Sequence, residues 1–469
     1  MLPDESLHLL LDRRLLERTH NTTVRLSTCT KHPANPLLLD GDSYWKHDNL
    51  SGLIRSDPED GVLRGLCAGG EVSGDGIEWR RDTKGARVQF LTDDPDPDPA
   101  RRYKRAFHVE GISGRPILTP QTVQRCGRMG IPPVAGIGVG WSSDAESWSN
   151  LHPILRSERP FCDPRTNQWG GGDGYNHVIW APNLNKYVCF VRTNIDRREY
   201  GGRKERAVGR MQSEDFRLWS EHEICLRPHT DLHHALGDGK YDFYHLPVFR
   251  YGGVFLSVVS VFKWAPDTVH LWLTWSPDSR HWEVICPGQD FVPQGEDGQI
   301  DGGCNFACQE PILLGDEMRI YYGASRGHHN RDPDRTSSLC LALFGRDRFA
   351  GLEPDRGAEP GTAVTRPLLV GVGVGVGVGV GVGAGLEGEG LWLNANAAGG
   401  SIRVELRGED GRALPGFSQA DSDPISEDAI RVRATWGGRA DLAELRGRNL
   451  RIAFTLDRAA LYAFTFKGP

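Results

Sequence analysis

Short, largely apolar runs recur along most of the chain, one of them, His270–Trp275, with alternation. Tyr187-Val-Cys-Phe-Val-Arg192, Val254-Phe-Leu-Ser-Val-Val259, His270-Leu-Trp-Leu-Thr-Trp275, Met318-Arg-Ile-Tyr-Tyr322 and Leu339-Cys-Leu-Ala-Leu-Phe344 are the clearest. Short runs of this kind, rich in β-branched and aromatic residues, predict β-strands. A seven-residue box follows such runs and returns along the chain. It reads Ser73-Gly-Asp75-Gly-Ile-Glu-Trp79, Ser142-Ser-Asp144-Ala-Glu-Ser-Trp148, Ser213-Glu-Asp215-Phe-Arg-Leu-Trp219 and Ser276-Pro-Asp278-Ser-Arg-His-Trp282. A degenerate fifth copy is Gly345-Arg-Asp347-Arg-Phe349. The copies recur about every 70 residues, so one structural unit is present five times.

The box has a physical reading. A strand ends, the Asp carboxylate accepts backbone N–H groups in a tight turn, and the chain reverses. Trp then opens the next strand and packs over the turn. One such turn per unit, among short strands, predicts a four-stranded blade. Five blades arranged radially make an all-β, five-bladed β-propeller. Hairpin signals at Asn183-Leu-Asn-Lys186, Tyr251-Gly-Gly253 and Gly315-Asp-Glu317 sit well ahead of their boxes. The first unit is shorter, because its turn at Asp57-Pro-Glu-Asp-Gly61 lies closer to its box than the later turns lie to theirs.

The repeat assigns residues 1–353 to the propeller. Residues 354–390 read as a linker, rich in Pro and Gly and then nearly pure Gly-Val from Val370 to Gly385, a low-complexity pattern. From 391 to 469 short strands return at Ile402–Leu406, Ile430–Trp436, Leu450–Phe454 and Leu461–Phe466, with a turn at Asp410-Gly411. This tail reads as a small β-sandwich.

Composition narrows the function. The 469 residues carry a net charge of −7 and no long basic stripe, which argues against nucleic acid. The 58 glycines and 13 tryptophans suit a turn-rich fold with aromatic clefts. Ten cysteines are scattered, and Cys304-x-x-x-Cys308 has no matching second pair, so no metal and no cofactor are expected. The chain shows no signal peptide and no membrane span, and reads as cytoplasmic, or as secreted if its true start lies upstream.

In a propeller the first strand of each blade lines the axis, and polar side chains leading into those strands converge on one funnel. By position these are Asp48, Asp173, Asn176, Asp242, Tyr244, His245, Asp301 and Glu310. Carboxylates gathered in one pocket split their pKa values, so one holds a proton while another stays ionised. Glycoside cleavage needs such a pair. Asp48 or Asp173 is the expected base or nucleophile, and Glu310 or Asp242 the acid. Trp45, Trp169 and Tyr244 offer faces for sugar stacking. The same residues also admit plainer readings. Asp173 and Asp301 precede Gly and suit turns, Glu310 precedes Pro311 and suits a loop, and Asp12 competes as the first axial acid. His233-His234 and His328-His329 read as solvated loop residues.

Several motifs resemble one family in order. They are Leu10-Leu11-Asp12, His32-Pro-x-Asn35-Pro36, the first box, Arg102-Tyr103-Lys104 and Tyr321-Tyr322-Gly323. The tail adds Leu391-x-Leu393-Asn394, Gly416-Phe417, Trp436 and Leu461-Tyr462-x-Phe464. Together they resemble an uncharacterised group related to the N-terminal domain of glycoside hydrolase family 32. That group is also similar to families 43, 68, 117 and 130. The resemblance implies a five-bladed propeller with an axial acid site and a trailing sandwich, acting on a carbohydrate substrate. Two other activities are consistent with the residues. One is a non-catalytic carbohydrate-binding propeller. The other is a glycoside phosphorylase that holds phosphate on Arg101, Arg102, Lys104 and Arg105, which otherwise form a solvated strand face.

Overall fold

The apolar runs fold as strands, and the chain is all-β. Among the described residues the only helical elements are short 3-10 turns. The structure, a computed structural model, describes residues 6–38, 54–56, 61–65, 71–81, 94–109, 136–144, 147, 149–156, 176–197, 203–229, 240–308, 310–332, 335, 337–355, 359–370 and 390–466.

A group of antiparallel strands accompanies each box, and the fourth and fifth groups, called sheets four and five below, are joined into one ten-stranded sheet by a parallel pair, Val269 with Cys304. Sheet one is Ile54–Ser56, Leu63–Gly65, Glu71–Ser73 and Arg80–Arg81. Sheet two is Tyr103–Val109, Gly136–Ser142 and Ser149–Arg156. Sheet three is His177–Ala181, Lys186–Arg197, Arg203–Ser213 and Glu223–Leu226. In sheet four Tyr241–His245 and Val248–Tyr251 both pair with Val254–Lys263, followed by Thr268–Ser276 and Glu283–Val284. Sheet five pairs Cys304–Ala307 and Ile312–Leu314 with Glu317–Ser325, then Ser338–Gly345. Its last strand comes from the other end of the chain: Thr30–Lys31 pairs with Leu343 and Ala342.

The box turns form as their chemistry requires. Asp75 accepts from Ser73 Oγ at 3.0 Å and from the N–H groups of Ile77 and Glu78 at 2.8 and 2.9 Å. Asp215 accepts from Ser213, Arg217 and Leu218, and Asp278 from Ser276, Arg280 and His281, in the same pattern. The indole N–H of Trp79, Trp219 and Trp282 then donates to the carbonyl of the fourth box residue. That residue has positive φ in all three, +77° at Gly76, +62° at Phe216 and +66° at Ser279. A left-handed L-residue costs about 1–2 kcal/mol, which the converging hydrogen bonds offset. The fifth copy differs. It lacks the leading serine, its positive φ falls on Asp347 itself, and the Asp347 carboxylate turns inward to the Tyr251 hydroxyl.

Apolar clusters join the sheets in sequence. Ile137, Val139 and Trp141 of sheet two pack on Val178, Tyr187 and Cys189 of sheet three. Val188 and Phe190 of sheet three pack on Phe255, Val259 and Val261 of sheet four. Leu256 and Val258, on the opposite face of that strand, join Ile320 and Tyr322 of sheet five. Both faces of Val254–Lys263 are covered, hence its nearly unbroken burial. Ile54 and Leu63 of sheet one close on Ile312 and Tyr321 of sheet five. Four of the five boxes are also gripped by a neighbouring sheet, the third, fourth and fifth by the one before. Arg101 donates to Asp215 O, Arg210 to Ser279 Oγ at 2.9 Å, and Tyr251 to Asp347. Sheet five holds the first box through Arg319 to Asp75 O and Tyr321 Oη to Gly76 O at 2.8 Å.

Two further sheets pack face to face as a sandwich. One runs Thr22–Leu26, Ala350–Pro354, Ala460–Thr465, Trp392–Asn396, Asp428–Arg433, with His8–Leu9 also on Ala460–Thr465. The other runs Leu16–His20, Gly361–Thr365, Asn449–Asp457, Leu368–Leu369, with Ser401–Arg407 also on Asn449–Asp457. Ser401–Arg407 shows the alternation cleanly, with Ile402, Val404 and Leu406 inward and Arg403, Glu405 and Arg407 outward. The sheets do not divide at residue 353. The strands from His8 to Leu26, and Ala350–Pro354, belong to the sandwich. Unpaired edges of the C-terminal strands explain this, since N-terminal strands satisfy them. The Gly-Val tract lies outside the described residues from 371 to 389.

Candidate active site

The boxes occupy one end of the sheets. At the opposite end, first strands begin and the second and third strands are joined, and there polar and aromatic groups of sheets three, four and five meet. Asp242, second residue of Tyr241–His245, is fully buried. Its Oδ2 accepts from Arg206 Nη1 at 3.2 Å and Trp264 Nε1 at 3.0 Å, and Lys240 Nζ stands 3.8 Å from Oδ1. Burial pushes the Asp242 carboxyl above the usual carboxylate range, against the pull of Lys240 and Arg206. Trp264, just past the end of Val254–Lys263, stays 37% exposed. Lys240 Nζ lies 4.5 Å from its ring centroid and Arg206 5.8 Å, within cation–π range.

Tyr244 continues the cluster. Arg192 and Arg206 lie over its ring at 4.4 and 5.1 Å, and its edge meets Phe306 of sheet five. Its hydroxyl bonds His329 Nε2 at 3.1 Å. His329 stacks obliquely on Phe262, centroids 4.6 Å apart. This histidine is therefore not a solvated loop residue. The loop carrying it is latched to sheet four, because Asp267 accepts from the N–H groups of Asn330 and Arg331, both at 2.9 Å, and from Asn330 Nδ2 at 2.7 Å. Burial alone would raise the Asp267 carboxyl, but those donors hold it below its ordinary value.

The remaining candidates separate. Asp301 is buried and ion-paired to Lys31 at 2.6 Å, and accepts from Tyr322 Oη at 3.1 Å. It ties the borrowed strand Thr30–Lys31 into sheet five. His245 faces the core, where burial and neighbouring His177 depress its pKa to about 3. Asn176 is half-buried at the start of sheet three, and Glu310 half-buried in the bend of sheet five's first strand. Strand register explains why Glu310 is not the counterpart of Asp242. Asp242 and Cys304 each pair with the ninth residue of the second strand, Phe262 and Ser325, so Cys304 takes that place in sheet five. Trp45, Asp48, Trp169 and Asp173, with His233-His234, lie outside the described residues.

The basic cluster around residue 103 divides: Arg102 is exposed, whereas Lys104 and Arg101 are taken up by acids and are not an open phosphate site. Lys104 is buried and binds Asp94 at 3.0 Å and Asp96 at 3.2 Å. Arg101 pairs with Asp96, lies over Trp141 at 4.9 Å and holds the third box. The acidic Asp-Pro repeat upstream supplies the counter-charges. Sequence reasoning overlooked Arg206, Lys240 and Trp264. The signal for Trp264 was its place in the short link after an apolar strand.

No protein-family model matches the chain, and no curated protein matches it. Solved structures similar to it include one described as a glycoside hydrolase, at 12% identity, TM-score 0.42, covering 72% of this chain and 95% of that one. A thermostable family-43 glycoside hydrolase matches at 12%, TM-score 0.39, covering 66% and 95%. A β-1,2-mannobiose phosphorylase from Listeria innocua matches at 10%, TM-score 0.38, covering 68% and 97%. Identities of this order and TM-scores below 0.5 leave the reaction open.

Proposed function

We propose that the chain is a glycoside hydrolase built on a five-bladed β-propeller, with its substrate at the end of the sheets opposite the boxes. The observation that carries this reading is the Trp264 ring, half open to solvent and pinned through its indole N–H to a buried carboxylate. A fixed aromatic face beside charged donors is what a sugar ring needs for stacking and hydroxyl recognition. The return of the box grips from sheet five to sheet one supports the count of five blades.

In this reading Asp48 and Asp173 are the reacting carboxylates, one protonating the leaving oxygen and the other attacking or activating water. Asp242 is sealed, so it acts as a positioning residue. It orients Trp264, Arg206 and Lys240 toward the substrate. Asp242 rather than Glu310 is favoured for this positioning role by its register and by its bonds to Arg206 and Trp264. The test is a panel of glycosides assayed with wild type, D48N, D173N and D242N. D48N and D173N lose kcat, whereas D242N raises KM with a smaller change in kcat. Full activity in all three variants, or no cleavage of any glycoside, overturns the reading.

A glycoside phosphorylase is the second reading. It is favoured by Arg192, Arg206 and Lys240 gathered round one site. Turnover that depends on inorganic phosphate and releases a sugar phosphate distinguishes it from hydrolysis.

A further inference from the structure

A groove outside the Asp242 cluster carries unbalanced charge. Three clefts of about 490, 310 and 560 Å³ adjoin along the N-terminal segment. The first and second share Arg13, Thr23 and Val24; the second and third share Glu17, Arg18 and Thr19. The first also reaches Arg227 at the edge of sheet three and Trp282 of the fourth box. Arg13, Arg18 and Arg227 are all exposed. Among the described residues, none of their guanidinium groups has an ion-pair or hydrogen-bond partner.

The acids along the groove are mostly engaged. Glu17 is bound by Arg451 at 2.6 Å, and that bond holds its carboxyl below the ordinary glutamate value. Glu405 takes Arg407 at 2.5 Å and the Gln419 N–H at 3.0 Å. Glu283 is the one acid in the first cleft. The free guanidiniums therefore outnumber the free carboxylates. Their planar forks match carboxylate and sulfate oxygens in pairs.

We propose that this groove is a second carbohydrate site, for an extended acidic glycan bearing carboxylate or sulfate groups. Guanidiniums spread over successive clefts cannot converge on one small anion, but they suit charges repeated along a polymer. Trp282 supplies an aromatic wall, and the Thr19 and Thr23 hydroxyls border the path.

The experiment measures binding of the full chain to polygalacturonate, chondroitin sulfate, neutral dextran and single-stranded DNA, at low and high salt. Wild type is compared with the triple variant R13Q/R18Q/R227Q and with D242N. At least one acidic glycan binds wild type and D242N alike, salt weakens it, and the triple variant binds about tenfold more weakly, as the loss of three exposed ion pairs implies. Polygalacturonate against chondroitin sulfate tells carboxylate from sulfate. Because the three arginines are exposed, the variant folds, which its melting temperature verifies. Equal binding by wild type and triple variant overturns the proposal. So does tight binding of DNA with the same arginine dependence, or no binding to either acidic glycan. Retained binding in D242N separates failure here from failure of the catalytic reading.

Discussion

Replacing Gly76 by alanine tests whether the first box truly docks on the fifth sheet. Gly76 has φ of +77°, and an added Cβ would stand 2.2 Å from Tyr321 Oη, 2.7 Å from Arg319 Nη1 and 2.8 Å from Leu63 Cδ1. The left-handed backbone alone costs about 1–2 kcal/mol for a residue with a side chain. The contact also expels the Tyr321 hydroxyl from its 2.8 Å bond to Gly76 O. Tyr321 is fully buried, so stranding its hydroxyl adds about 1–3 kcal/mol. The sum, about 2–5 kcal/mol, is a large share of the 5–15 kcal/mol typical of a folded domain. Gly411 provides the control. Its φ is +78°, yet nothing lies within 4 Å of an added Cβ, so G411A should cost only the backbone strain. Urea unfolding followed by tryptophan fluorescence compares the two. G76A should be less stable than G411A by about 1–3 kcal/mol. Equal destabilisation would mean that sheet one does not seat on sheet five, and the closed five-bladed count would lose its support.

Three other outcomes are expected. Trp264→Ala should raise KM for the cleaved glycoside about tenfold or more, with Tm nearly unchanged because the ring is partly exposed; an unaltered KM refutes its role as a stacking face. Asp301→Ala should lower stability by about 1–3 kcal/mol, since it removes the buried end of the Lys31 pair and leaves the buried Tyr322 hydroxyl without its acceptor; a variant that melts normally but loses sugar affinity would instead make Asp301 a substrate ligand. Asp278 has its carboxyl lowered from 3.8 to about 2, because the N–H groups and ring of His281 and the N–H of Arg280 outweigh the effect of burial. A depressed carboxyl stabilises the fold above its unfolded pKa and loses that contribution as pH falls toward the folded value. With the side chain 39% exposed, the contribution discounts to roughly 1 kcal/mol. D278N should therefore lower Tm at pH 7 and match wild type near pH 2, and a constant gap across that range would contradict the linkage.

The boxes were legible because their chemistry is local. Ser, Asp and Trp at fixed spacing settle a turn whatever surrounds it, and three of the turns agree down to the bonded atoms. The degenerate copy was legible too. Without a serine at position 345, Asp347 leaves the turn and faces Tyr251. The site was less legible because its contacts join distant segments. His329 reaches Tyr244 only because Asp267 anchors the intervening loop. Asp301 looked like an axial acid, but the partner that claims it, Lys31, lies far upstream in the chain. The N-terminal strands read as part of the first unit, yet strand pairing is decided by which edges are open, and here the open edges were C-terminal.

The two ends of the sheets differ in their chemistry. At the box end, carboxylates are consumed by the backbone. Asp75, Asp215 and Asp278 have lowered pKa values and nearby N–H donors, so they have no proton to give and few lone pairs to offer. Three turns that repeat the same backbone bonds suit scaffolding. At the opposite end the described links, those of sheets four and five, differ from each other, and a strand of sheet three adds to them. Sheet four contributes Trp264 and Asp267, sheet five contributes His329, and sheet three contributes Arg206. The carboxyl there, Asp242, is shifted upward rather than downward. Heterogeneous loops on a repeated, rigid frame are where binding groups accumulate, and at that end Asp242 ties together Arg206 of sheet three and Trp264 of sheet four.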